Sequence, residues 1–215
     1  MGFLESTNCS KFLKNEYEEI ATAVKCGAYR AEADFGHTSP NSKQLVELGL
    51  CGLLKRVEKK IEQQKQLSKK QVEFYESCKI VLNSCISVCL RLAEAIAPYS
   101  SENESALRQI AQGSPTNSYE VMQLLIIYFF LHEYVFKTRV RTLGRLDILL
   151  YPYYKRDIES GRYSKAEIKE MLKFFLNKFS SAKVPFGLPF CLGGMDENGE
   201  DITNDISYLI VEAYQ

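Results

Sequence analysis

A sixteen-residue apolar stretch, Val121 to Phe136, constrains this chain more than any other feature. It carries Gln123, His132 and Glu133 among its apolar residues and falls short of the ~20 residues that cross a bilayer. A helix that is apolar on nearly every face has to be covered on nearly every face. The stretch therefore predicts a buried helix over Tyr119 to Phe136, capped by Asn117 or Ser118, with the rest of the chain packed around it.

The other elements follow from periodicity and punctuation. Asn15 to Tyr29 reads as helix. Asp34-Phe35-Gly36-His37-Thr38-Ser39-Pro40 is a break, with Gly36 and Pro40 as its markers. Asn41 or Ser42 caps a helix through Leu45, Leu48, Leu53, Leu54 and Val57. Gly49 and Gly52 lie inside it, each costing up to ~1 kcal/mol against alanine, so something is expected to approach that face closely. Glu58 to Gln71 is charge-rich and reads as a solvated helix end and turn. From Val72 to Ala97 the residues Phe74, Cys78, Val81, Leu82, Cys85, Val88, Cys89, Leu92 and Ala93 keep the spacing of one helix face, and Pro98 ends it. A short helix runs from Glu104 to Ala111. Ser164 caps Lys165 to Phe179, with Glu167 at the capping-box position. A final helix begins at Asp201 or Thr203. Two short apolar runs bounded by Gly or Pro, Leu146 to Leu150 and Leu188 to Leu192, read as buried parallel strands.

Composition excludes more than it selects. The 215 residues suffice for one domain with a sizeable core. Lysine plus arginine balance aspartate plus glutamate at 27 each, so the chain has no electrostatic footprint for nucleic acid or an anionic membrane. No Cys-x-x-Cys pair occurs among the seven cysteines, and Cys78, Cys85 and Cys89, on one helical pattern, read as small apolar core residues of a reducing compartment. Lys11 and Lys14 interrupt the N-terminal apolar residues, so no signal peptide is read and a cytoplasmic location is expected.

Few residues offer chemistry. His37 sits beside Asp34 in the Gly36–Pro40 break, where polar groups can face a cavity. A hydrogen-bonded loop histidine is the plainer alternative. His132 reads as a satisfied histidine of the buried helix. The two histidines lie too far apart for a metal pair, and no Cys/His or carboxylate cluster has ligand spacing. Arg145 and Asp147 alternate along the first predicted strand. They would share a face and form an internal ion pair, with substrate contact as the other reading. Tyr151-Pro152-Tyr153-Tyr154 reads as an aromatic cap after that strand. Asp196-Glu197-Asn198-Gly199 reads as a turn rather than a calcium loop.

Five blocks in one order carry a family resemblance. They are Gly36-His37-Thr38-Ser39-Pro40 with Leu48-Gly49-Leu50; Phe74-Tyr75-Glu76; Ser118-Tyr119-Glu120 with Gln123-Leu124; Gly144 to Asp157; and Leu192-Gly193-Gly194-Met195-Asp196 running on to Leu209. Together they resemble the middle of a glycyl radical enzyme, the family of pyruvate formate-lyase, glycerol and diol dehydratases and choline trimethylamine-lyase. The resemblance implies a helix-rich α/β fold, part of a ten-stranded α/β barrel. It implies one pyruvate formate-lyase-like domain over residues 1–215, mostly helical to residue 140 and strand-helix beyond. In that family a loop glycine holds a radical and a loop cysteine relays it to a small-molecule substrate. An activating enzyme with an iron–sulfur cluster and S-adenosylmethionine installs the radical, so no cofactor bound by this chain itself is implied. A homodimer is a further expectation.

The resemblance singles out Asp34, His37 and Thr142 as substrate-facing candidates. Arg145 and Asp147 match the family's Gly-Arg-(Leu/Phe)-Asp, while Ile148 departs from the usual glutamine. None of the cysteines sits in a Gly-Cys-x-Glu context and no Arg-Val-x-Gly occurs. A helical pattern still in progress at Gln215 suggests a truncated chain. The expectation is a piece of a glycyl radical enzyme that is silent by itself. Two other readings are a helical interaction protein that reuses the half-fold and an acid–base enzyme built on His37 and Asp34.

Overall fold

The computed structural model describes residues 18–19, 21–28, 39–64, 66–136, 142–181 and 189–215. The chain divides into two units, Met1–His37 and Thr38–Gln215. In the first, residues 18–19 and 21–25 are helical, with the Thr22 hydroxyl donating to the Glu18 carbonyl at 2.8 Å. This is the described middle of the helix expected over Asn15 to Tyr29.

The second unit runs α1 (Ser42–Gln63), α2 (Lys69–Ile96), α3 (Ser101–Gln112), α4 (Ser118–Phe130), a π-helical turn (Leu131–Phe136), β1 (Gly144–Arg145), α5 (Leu146–Ser160), α6 (Lys165–Ser181), β2 (Phe190–Cys191) and α7 (Asp205–Tyr214). Side chains that accept from first-turn amides fix most helix starts. The Asn41 and Asn117 side chains accept from the amides of Gln44 and Glu120 at 3.1 and 2.9 Å. Ser68 and Gln71 close a capping box, as do Ser164 and Glu167.

Two apolar cores share α4 as a common wall. Val121, Met122 and Leu125 face a core with Leu143, Leu146, Leu150, Ile168, Leu172, Phe175, Ile206, Leu209 and Ile210. Leu124, Ile127 and the following Leu131 face a second core with Leu45, Leu50, Cys85, Cys89, Leu107 and Ile110. The apolar stretch is covered on both sides as far as Leu131, whereas Tyr134 and Val135 near its end are exposed. It is not one α-helix, however: its last six residues widen into the π turn.

The expected strand over Leu146 to Leu150 is instead the first turn and a half of α5. Extended pairing is confined to Gly144 and Arg145, which lie parallel to Phe190 and Cys191. A short apolar run fits a buried strand and a buried helix equally. Here Asp147 in the first helical turn and the aromatic residues after it, of which Tyr154 is buried, resolve it as helix. The Tyr151–Tyr154 segment therefore lies within α5, with Pro152 inside the helix, rather than capping a strand. The second expected strand is seen as Phe190–Cys191, with Leu188 outside the described residues. The last helix starts at Asp205, not at Asp201 or Thr203. Those two residues bond each other instead, the Thr203 hydroxyl donating to the Asp201 carboxylate at 2.7 Å.

Gly49 explains its own presence. It has φ +64 and ψ 177 and breaks α1 into two segments. A Cβ there would run into the Gly113 carbonyl oxygen and lie 2.9 Å from Ser114 Cα. The close approach expected of this face occurs at Gly49. At Gly52 a Cβ would meet only the Leu48 side chain.

Candidate functional site

A cavity of about 630 Å³ opens between the first turn of α1 and the β1–α5 segment. Its apolar lining comes from Val46 on α1, Leu143 before β1, and Ile148, Leu149, Pro152 and Tyr153 on α5. Its charged lining is Lys43, Glu47, Arg145 and Arg156. Helical spacing on α5 brings Ile148, Leu149, Pro152, Tyr153 and Arg156 to one face. The Arg156 guanidinium carbon lies 5.4 Å from the centroid of the Tyr153 ring and the group donates to the Thr116 carbonyl at 3.1 Å. Burial pushes the Tyr153 phenol upward, and the neighbouring Arg156 charge pulls it the other way.

A buried polar network stands behind this wall. Asp147 is wholly buried. Its carboxylate accepts from the Gly193 amide at 2.6 Å, the Ser207 hydroxyl at 2.5 Å and the Ile148 amide at 2.8 Å. Ser207 in turn accepts from the Asn204 amide at 3.1 Å, so the start of α7 is tied to the same carboxylate. The Arg145 guanidinium donates to the carbonyls of Gly193 and Met195. A buried carboxyl group is tolerated because the Gly193, Ser207 and Ile148 donors meet its oxygens. Gly193, at φ +58, admits the arrangement, since a Cβ there would sit 2.6 Å from the Thr203 hydroxyl.

Arg145 and Asp147 therefore do not form the ion pair expected from strand alternation. Arg145 ends β1 and Asp147 opens α5, so they no longer share a pleated face. Each holds the Gly193–Met195 turn, one by its carbonyls and the other by an amide. Thr142 is not among the residues that line the cavity; its Oγ1 accepts from the Gly144 amide at 2.8 Å, fixing the turn into β1. Asp34 and His37 lie outside the described residues. His132 is on the π turn rather than at the cavity. Its ring centroid is 4.4 Å from that of Tyr128, and burial lowers its pKa.

Sequence reading missed Ser42, Lys43, Arg156 and Ser207. Neither the Asn204 cap nor the bond that joins Ser207 to Asp147, sixty residues away, was read from the sequence. Among the cysteines, Cys85 and Cys89 are buried as expected, and burial pushes the Cys89 thiol up to about 12. Cys191, by contrast, is exposed. Among the described residues, no group of three His, Cys, Asp or Glu side chains is arranged to hold a metal. No described helix is long and apolar enough to cross a membrane.

Comparison with known proteins places this geometry. A family model described as pyruvate formate lyase-like matches residues 2–215. The 4-hydroxyphenylacetate decarboxylase glycyl radical subunit of Clostridium scatologenes is 29% identical over 123 residues, covering 51% of this chain and 14% of that protein. The (2S)-3-sulfopropanediol dehydratase of Klebsiella oxytoca is 24% identical over 212 residues, covering 84% of this chain and 25% of that protein. The glycerol-bound B12-independent glycerol dehydratase of Clostridium butyricum superposes with a TM-score of 0.71 at 21% identity, over 91% of this chain and 29% of that one. The chain thus spans a quarter or less of these two curated relatives, and the described fold is that of part of a glycyl radical enzyme barrel.

Proposed function

Because this chain belongs to the pyruvate formate lyase-like family, we propose that it forms part of the substrate-chamber wall of a glycyl radical enzyme that cleaves a C–C, C–O or C–N bond. The observation that carries this reading is the coincidence of the cavity with the family's most specific segment. Leu143 to Arg156 lines the cavity, while Arg145 and Asp147 lock that segment to the Gly193 turn. The relatives named above support a dehydratase or a carbon–carbon lyase over an acyltransferase, since one is a decarboxylase and the other a dehydratase.

No glycine or cysteine of the 215 fits the family's radical-bearing or relaying motif, so no radical step is assigned to a residue here. When present, the glycyl radical would supply hydrogen-atom abstraction from the substrate through the relaying cysteine. This chain's residues would bind the substrate, orient it and exclude water. Thr142, and in the undescribed segment Asp34 and His37, are the substrate-facing candidates. The proposed partners are a small-molecule substrate, an iron–sulfur activating enzyme that uses S-adenosylmethionine, and a second copy of the enzyme. The proposed setting is an anaerobic cytoplasm.

The test is anaerobic activation of the native gene product by its S-adenosylmethionine-dependent activating enzyme, followed by electron paramagnetic resonance. A glycyl doublet that disappears on exposure to oxygen is expected. Its absence after full activation would sink the reading.

A further inference from the structure

We infer that one face of α2 is the contact by which two copies of this chain pair, their α2 helices lying antiparallel about a twofold axis. This gives a surface to the second copy already proposed as a partner, and it is independent of the radical chemistry. Three observations carry it.

The first is an apolar face that neither core covers. α2 runs for 28 residues, yet its buried residues are Cys85, Cys89 and Ala93. Nothing from Lys69 to Ser84 is buried. Phe74, Val81 and Leu92 are 64%, 43% and 44% exposed and belong to neither apolar core. Val88, between them, is partly buried. Helical spacing puts these four side chains on one face, next to the buried one. Single exposed apolar residues are ordinary, whereas a stripe along most of a long helix marks a surface that is covered in use.

The second is the period of the stripe. Phe74, Cys78, Val81, Cys85, Val88, Leu92 and Ala95 follow one another at alternating intervals of four and three residues. This is the repeat of a helix that packs along another helix, kept for about three heptads. The occupant of the face is therefore a helix rather than a strand or a loop. Cys85 is the point where this seam meets the core.

The third is charge, which selects a second copy of α2 as that helix. Glu73 and Arg91 are exposed and stand eighteen residues apart, as do Phe74 and Leu92. Eighteen residues make about five helical turns, so the members of each pair point the same way from the helix axis. An antiparallel match that sets Phe74 against Leu92 of the second copy also sets Glu73 against its Arg91, and symmetry repeats both contacts. A parallel match would turn that flank toward the side that packs on the core and leave both charges unmet. Between the two ends the same flank carries Ser77 and Ser84. Both are small, and their hydroxyls donate to the Glu73 and Ile80 carbonyls of their own helix at 2.7 Å, so a close approach strands no donor. The present partner of Glu73 is Lys69 at 3.9 Å, an exposed pair that solvent weakens.

The experiment is sedimentation equilibrium of the purified 215-residue chain at low salt. A monomer–dimer equilibrium is expected, with the dimer lost on dilution. Phe74→Ser and Leu92→Glu are each expected to weaken it by about tenfold or more, with circular dichroism unchanged. Val72→Ser is the control. Val72 is as exposed as Val81, at 43%, but lies nine residues before it and so faces the opposite side of the helix. This variant should pair as the parent does. Glu73→Arg and Arg91→Glu are each expected to weaken pairing by about three- to tenfold. Combined in one chain, they are expected to restore it to within about twofold of the parent. Neither a folding defect nor general stickiness would produce that recovery. A chain that stays monomeric at every concentration would overturn the interface. So would a dimer indifferent to Phe74→Ser and Leu92→Glu, or one weakened as much by Val72→Ser. A double charge variant as weak as its singles would overturn the antiparallel match. A glycyl doublet from a protein that never pairs would sink the interface and leave the proposed function standing. Seam-dependent pairing without a glycyl signal would do the reverse.

Discussion

The two cores on either side of α4 are held together by different means. Around α1, α2 and α3 the glue is shape: Cys85, Cys89 and Ala93 pack against Leu107, Ile110 and Leu124, and Gly49 lets two backbones touch. Its charged groups, such as Lys79 with Glu76, form pairs at the surface. Around β1, α5, β2 and α7 an apolar core is also present, but a buried carboxylate sits in its margin and holds three separate segments by directed bonds. Packing tolerates small adjustments of many atoms. A satisfied buried carboxylate tolerates very few, because each lost partner leaves a polar group stranded. The region that lines the cavity is therefore the one whose geometry is specified most sharply.

That contrast can be broken experimentally. Asp147→Ala should cost most, roughly 4 kcal/mol, by stranding the Gly193 amide and the Ser207 hydroxyl. Hydrogen exchange should speed at Gly193 and Ser207 and stay unchanged in α2 and α3. Gly49→Ala should cost roughly 3 kcal/mol through strain at positive φ and collision with Gly113. Here the faster exchange should appear in α1 and α3 instead. If either variant accelerates exchange equally in both cores, they form one cooperative unit and the distinction fails.

Asn204→Ala removes the acceptor of the Ile206 amide and should cost about 1 kcal/mol, read as a drop in the denaturation midpoint. A larger loss would mean that the cap also sets Ser207 on Asp147. The smallest effect belongs to His132, at the wall between the cores. Burial lowers its pKa, so the folded protein prefers the neutral ring and the unfolded chain takes up the proton first. Its contribution is full above the unfolded value of about 6.5 and is lost as pH falls from there through the folded value. The stability difference between the parent and His132→Gln should shrink over that window; a difference flat from pH 7.5 to 5 would show that the ring does not titrate with folding.

Legibility followed the range of each interaction. Ser164 with Glu167 and the Asn117 cap act within one helical turn, and the sequence displayed them; Ser68 with Gln71 is as local but lay inside a charge-rich stretch read as helix end and turn. Of the face read along α2, Cys85, Cys89 and Ala93 are buried while Phe74, Val81 and Leu92 are exposed, and Gly49 displayed a close approach without naming Gly113. Leu146 to Leu150 misled because a five-residue apolar run has no period of its own. Its state was decided by Asp147 and by aromatic residues further along. The same error produced the supposed Arg145–Asp147 pair, since alternation exists only in a strand. Apart from the adjacent Ile148 amide, the partners those residues do have lie 46 to 60 residues onward, beyond the reach of any local pattern. The cavity was hidden for a similar reason: Ser42 read only as an alternative cap, and nothing local brought Arg145 and Arg156 to the same cavity.

The π turn at Leu131–Phe136 has a consequence for chain length. A π turn spends more residues per revolution than an α turn, so the longest apolar stretch contains a residue that regular helix would not need. Deleting one residue inside the turn would tighten it to ordinary pitch and leave Val121 to Phe130 where they are. The same deletion within Val121 to Phe129 would rotate everything after it by about 100° and carry Leu131 out of its core. In its most crowded helix, then, this protein keeps one short place where length can change without disturbing what lies inside.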